Sequence, residues 1–150
     1  MYKLSILIFF TSIDLLAKFL VSNNLSLNET IKINKYFEIS YIQNYGVPFG
    51  MFSDIFPYWA FVLIGILVSL LIFYLMKNTK IKKERWAYFI ILIGACSNII
   101  DRGINGYVVD FISIHYEELY WPTFNLADIY ITLGIMMLLF SFFRGSKIDD

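Results

Sequence analysis

The sequence holds one cysteine, one histidine and three prolines in 150 residues. A lone cysteine excludes an intrachain disulfide, and with a lone histidine it excludes a His- or Cys-rich metal site. A carboxylate metal site stays open on composition. Charge is scarce as well. Only 16% of residues are charged, and twelve basic residues balance twelve acidic ones, so no global field argues for a nucleic-acid partner. Internal repeats and low-complexity segments are absent. The chain is rich in apolar residues instead, at 59% hydrophobic and 19% aromatic. That composition excludes an ordinary soluble domain of this length. It predicts an all-α integral membrane protein, read as one domain over residues 1–150.

Four apolar segments, at about 4–21, 57–76, 86–104 and 124–143, approach the roughly 20 residues needed to span a bilayer. The first is interrupted by Asp14 and Lys18. It lacks a small-x-small cleavage site, so it reads as a retained span and not a signal peptide. The second carries no charge. The third is clean until Asn98, Asp101 and Arg102, and the fourth is clean except for Asn125 and Asp128. In a four-span arrangement Lys3, Lys77, Lys80, Lys82, Lys83, Arg85, Arg144 and Lys147 share one side, and the other keeps only Lys32 and Lys35. The positive-inside rule then makes both termini cytoplasmic and puts residues 22–56 and 105–123 outside.

In the first outer segment Ile31, Ile33, Phe37, Ile39 and Tyr41 alternate with polar residues, which is strand periodicity. A turn is expected at Asn34-Lys35, and the apolar face of the sheet should rest on the membrane or on the spans. The second outer segment reads as a short connection, with Tyr116, Tyr120 and Trp121 suited to the interface and His115 in a solvated loop. The tail at 146–150 reads as frayed.

At a rise of about 1.5 Å per residue, Asp14 lies about 15 Å from the inner surface, Asn98 about 18 Å, Asp101 about 22 Å and Asp128 about 24 Å. Three helices therefore bring polar groups to one level in the outer half, and Asp110 can fold back over it. Asp14 and Lys18 are i,i+4. Asn98, Asp101 and Arg102 share a face, as do Asn125 and Asp128, with Thr132 one turn on. Ionisable groups within a membrane are costly and by default mark function. Two carboxylates at one site can share one proton, which suits hydrolysis without metal or cofactor.

Structural readings compete with these. Asp14 and Lys18 could be a bare ion pair, Asn98 and Arg102 helix–helix glue, and Asp110 and Asp128 caps. Cys96 reads as a small buried hydrophobe. The Gly46-x-x-x-Gly50 spacing contains Pro48 and is no helix-dimer motif. The sequons at Asn24 and Asn28 are at chance level.

Five motifs carry a resemblance. They are Asp14-x-x-x-Lys18; Asn44-Tyr45-Gly46-Val47-Pro48-Phe49-Gly50; Gly94-Ala95-x-x-Asn98-Ile99-Ile100-Asp101-Arg102; Gly106-Tyr107-Val108-Val109-Asp110-Phe111; and Phe124-Asn125-Leu126-Ala127-Asp128. In this order they resemble the lipoprotein signal peptidase (signal peptidase II) family. The resemblance implies a bacterial cytoplasmic-membrane enzyme with four spans, a small extramembrane β-sheet cradle and a short outer helix. It implies cleavage of prolipoproteins before a diacylglyceryl-modified cysteine, with Asp110 and Asp128 as the catalytic dyad. Asp14, Asn44, Asn98, Arg102 and Asn125 match positions that order the site and bind substrate, and Lys18, Gly46 and Asp101 join them as supporting candidates within the same motifs.

The expected partners are the lipidated precursor and membrane lipid, with the chain acting as a monomer and no cofactor, metal or nucleic acid. Pro48 and Ser97 depart from the family pattern, the first stiffening a loop and the second adding bulk where helices approach. The alternative reading is a small proton-coupled transporter or channel subunit. A non-catalytic scaffold would leave the paired carboxylates without a reason.

Overall fold

A chain segment surrounded by lipid can satisfy its backbone only by closing its own hydrogen bonds, so each apolar segment is helical. The computed structural model describes residues 2–46 and 57–145. Its helices are α1 (Tyr2–Asn24), α2 (Tyr58–Asn78), α3 (Lys82–Asn105) and α4 (Leu126–Gly145). All four are long and apolar enough to cross a membrane. Helix α3 starts four residues before the apolar run it contains. Glu84 in its first turn suits the helix dipole and accepts bonds from Thr79 Oγ1 (2.6 Å) and Ser141 Oγ (3.0 Å). Helix α4 starts later than hydropathy suggests, because Phe124 is bonded to strand residue Ile112 in both directions (3.0 and 2.7 Å).

Helix α3 is the centre of the bundle. In its membrane-length window 44% of residues are buried, against 11–17% for the others, and it packs on α1, α2 and α4. Its closest approach is to α4. A Cβ on Gly94 would fall on the carbonyl oxygen of Ala127, so the two backbones meet there without side chains between them. Away from the polar groups, Met76, Phe89, Leu92 and Ile93 form an apolar core. Helix α3 ends at Gly106, whose φ of 81° is left-handed and whose N–H returns to the Arg102 carbonyl (2.9 Å).

The four strands β1 (Thr30–Lys32), β2 (Phe37–Asn44), β3 (Val108–Tyr116) and β4 (Leu119–Tyr120) form one antiparallel sheet in that order. The turn between β1 and β2 lies where expected. Asn34 Oδ1 accepts the N–H groups of Tyr36 (2.8 Å) and Phe37 (3.1 Å), an Asx turn.

Several expectations change. Residues 105–123 are no mere connection, because they hold β3 and β4. His115 is a β3 residue with its side chain 12% exposed, stacked on Tyr120 at 4.7 Å and with Nε2 3.4 Å from Glu38 Oε1, not a loop residue in solvent. The covered part of the sheet is also partly polar. Glu38, Ser40 and Ser113 are buried, and hydroxyls run Thr30–Ser40–Ser113–Thr123 at 3.1, 2.9 and 3.0 Å. Of the apolar set, Tyr41 is buried, while Ile31 and Ile33 stay exposed and do not pack on the spans, which leaves the membrane as their expected support. Among the described residues the only helices are the four spans, and no short outer helix is present. Pro48 and Gly50, with the tail at 146–150, lie outside the described residues.

Candidate functional site

Asp128 is the third residue of α4, and Asn125 is the residue before that helix begins. Asn125 Oδ1 accepts the Asp128 N–H (3.0 Å), and Asp128 Oδ2 accepts the Asn125 N–H (3.3 Å). This is a capping box, which satisfies orphan donors at the helix start and fixes the Asp128 side chain. Asp128 thus takes part in the cap, and it makes a second contact: Asp128 Oδ1 accepts Asn98 Nδ2 from α3 (2.9 Å).

Asp110 projects from β3 beside a register irregularity in β2, between Ile39 and Ile42. Its Oδ2 accepts Asn44 Nδ2 (3.0 Å) and its Oδ1 accepts Asn125 Nδ2 (2.6 Å). One fully buried asparagine thus binds both aspartates, Asp128 through the cap and Asp110 through its amide.

Burial pushes the Asp110 carboxyl up to about 7, and the charge of Asp128 adds to the shift. The hydrogen bonds from Asn44 and Asn125 and the charge of Lys18 oppose it. A proton is therefore held at the pair near neutral pH.

Behind the pair stands a second layer. Asp14 Oδ1 accepts the Ala127 N–H (3.1 Å), and Asp101 Oδ2 accepts the Val109 N–H (2.8 Å). Each buried carboxylate holds the residue just before one member of the pair. Lys18 lies between them, 2.8 Å from Asp14 and 3.5 Å from Asp101, and donates to Asn98 Oδ1 (2.8 Å). An ammonium has three donors, and here all three have acceptors, which is the condition for keeping such a group buried.

Arg102 completes the front. Its Nη2 donates to the Gly46 carbonyl and, at 3.4 Å, to the Asn44 carbonyl, and its guanidinium lies 5.5 Å from the Phe61 ring centre. Gly46 N–H returns to Asn44 Oδ1 (3.0 Å).

A cavity of about 650 Å³ opens on Asn44, Gly46, Asn98, Arg102, Asp110, Asn125 and Asp128, and it continues along α4 past Thr132 to Ile135. Asp14, Lys18 and Asp101 do not line it. They back it.

Sequence reasoning missed Phe61, and it also missed a rack of side chains beside Asn44. Tyr41 Oη meets Tyr107 Oη (3.1 Å) and accepts Gln43 Nε2 (2.8 Å), and Tyr45 Oη donates to Gln43 Oε1 (2.7 Å). The Tyr107 phenol is pushed up to about 12, first by its bond to Tyr41 and then by burial. The signal was present, since Tyr41, Gln43 and Tyr45 alternate on the face opposite Asn44. Ser97 does more than add bulk. It is fully buried and donates to Asp14 Oδ2 (2.6 Å).

Fold and site are those of a multi-pass membrane protein with a carboxylate centre at one end of its bundle. Two solved structures, each described as a bacterial membrane enzyme, share this fold. One has a TM-score of 0.89 at 22% identity, covering 99% of this chain and 92% of that one. The other has a TM-score of 0.81 at 21% identity, covering 94% and 92%. A model of the signal peptidase (SPase) II family matches residues 6–144, and the chain belongs to that family. It is similar to the lipoprotein signal peptidase of Haemophilus influenzae (strain Rd), with 34% identity over 139 residues, 90% of this chain and 81% of that protein. It is 36% identical over 142 residues to the protein of the same name in Thermodesulfovibrio yellowstonii, covering 93% of this chain and 94% of the other.

Proposed function

We propose that this chain removes signal peptides from bacterial prolipoproteins as an aspartic endopeptidase, cutting before the diacylglyceryl-modified cysteine. One observation carries the reading: two carboxylates, Asp110 and Asp128, are joined by Asn125 on the wall of one cavity. A pair that shares one proton holds a base and an acid together. The ionised carboxylate takes a proton from water as the water oxygen attacks the scissile carbonyl carbon. The neutral carboxyl hydrogen-bonds the carbonyl oxygen as it gains charge. Collapse of the tetrahedral intermediate breaks the C–N bond, and a proton passes to the leaving nitrogen. The products are a new carboxyl terminus on the signal peptide and a free amine on the lipidated cysteine.

Arg102 and Asn44 flank the pair, where they can bind substrate backbone. The cavity along α4 suits a signal segment lying beside that helix. The chain acts as a monomer in the bacterial cytoplasmic membrane, with both termini inside and the pair near the outer face. The eight-to-two bias of basic residues supports that orientation. Family membership gives the transporter alternative no support.

The test is cleavage of a purified lipidated precursor. Asp110→Asn and Asp128→Asn should each abolish turnover in a folded, membrane-inserted protein. Appreciable turnover by either variant removes that residue from the reaction.

A further inference from the structure

Ser97 sits in the middle of α3 with no exposed surface. A serine inside a helix usually returns its hydroxyl to a carbonyl one turn back or leaves it to solvent. This hydroxyl crosses the bundle to Asp14 Oδ2 at 2.6 Å. Asp14 also has no exposed surface, and it takes one donor from each of three helices: Lys18 of α1, Ser97 of α3 and the Ala127 N–H of α4.

The third of these matters for Asp128. The first backbone donors of a helix have no partner within it. In α4 the donor of Asp128 goes to Asn125, and the donor of Ala127 goes to Asp14. The first turn of α4 is therefore capped twice, once locally and once by a carboxylate on another helix. Without the Ser97 hydroxyl, Asp14 Oδ2 keeps only Lys18, and Lys18 also lies 3.5 Å from Asp101. The carboxylate is then free to turn about its last torsion and take Oδ1 off the Ala127 N–H. Asp128 is the next residue.

We infer that Ser97 is a positioning residue for the reaction: its hydroxyl fixes the rotation of Asp14, and Asp14 fixes the backbone that carries Asp128. Helix α3 thus reaches Asp128 by two adjacent residues, directly through Asn98 and indirectly through Ser97. This rests on the proposed dyad.

The test is steady-state cleavage of a lipidated precursor per folded molecule by wild type, Ser97→Ala, Asp128→Asn and Ser141→Ala. Ser97→Ala removes one hydroxyl and adds no volume. Ser141→Ala removes a hydroxyl at the opposite end of the bundle, where it bonds Glu84, and controls for general loosening. For Ser97→Ala, kcat should fall about tenfold, the low end of what a hydrogen bond to a charged group is worth, with KM within about twofold. Ser141→Ala should keep the wild-type kcat. Wild-type kcat in Ser97→Ala beside an inactive Asp128→Asn overturns this inference and leaves the dyad standing. An equal loss in Ser141→Ala also overturns it. Turnover by Asp128→Asn overturns the dyad and this inference together.

Discussion

At the scale of single residues, the proposed role of Asp110 sets how activity should depend on pH. Its carboxyl, held at about 7, faces Asp128 of α4, Lys18 of α1 and Arg102 of α3. Between the ordinary 3.8 and about 7 the folded chain binds this proton and the unfolded chain does not, so this group makes stability fall as pH rises through that window. Turnover should decline on the alkaline side of about 7 as the pair loses its shared proton. Asn44 donates to the ionised form and so holds the value down. Asn44→Ala should therefore move the alkaline limb of kcat/KM to higher pH, and a limb that stays or moves down would contradict the assignment.

Arg102 holds two carbonyls through Nη2 while its guanidinium carbon lies over the Phe61 ring, and a lysine's compact ammonium cannot occupy both places at once. Arg102→Lys should lower kcat/KM by one to several orders of magnitude, each order being about 1.4 kcal/mol. His115 does not line the cavity. His115→Ala should keep near-normal turnover, and an inactive His115→Ala would mean the site is drawn in the wrong place.

At the scale of elements, the start of α4 has two jobs that a substitution can separate. Asn125 caps the helix and also bonds Asp110. Asn125→Ala loses both, at about 1 kcal/mol of stability for the cap alone. Asn125→Ser restores a capping oxygen but is too short to reach Asp110. The serine variant should regain the thermal midpoint in detergent while turnover stays one or more orders down. Recovery of both would reduce Asn125 to a cap.

The same element shows what the sequence could and could not disclose. The four spans were legible because apolar length is itself the signal. The gathering of Asn98, Asn125 and Asp128 was legible because i,i+3 and i,i+4 spacing collects polar groups on one helix face, whereas Asp110 stands on β3, outside that spacing, and its place beside Asp128 followed from the resemblance. The roles of Asp14 and Asp101 were not, because their partners are the N–H groups of Ala127 and Val109, and nothing in a side-chain pattern marks a backbone donor. Strand β3 was missed although Ile112, Ile114 and Tyr116 alternate with Phe111, Ser113 and His115. The mixed second face hides the period.

At the scale of the molecule, the bundle is polarised along its axis. Asn98, Asp101 and Arg102 lie at the C-terminal end of α3, and α1 and α4 meet the sheet at that same end. The charged loop between α2 and α3 lies at the other, as do the start of α1 and the finish of α4. This geometry fixes which groups share an end, and basic residues then decide which end faces the cytoplasm. Lys77, Lys80, Lys82, Lys83 and Arg85 all lie at the end away from the dyad. A reporter inserted at Lys80 or fused after Asp150 should read cytoplasmic, and one near Asn28, beside β1, should read external. The three must agree, because Lys80 and Asn28 are tied to opposite ends of one packed bundle. An external Lys80 with a cytoplasmic Asn28 would turn the whole molecule over. The dyad would then sit at the inner face, out of reach of a substrate whose lipidated cysteine lies at the outer surface, and the proposed function would fall with the topology.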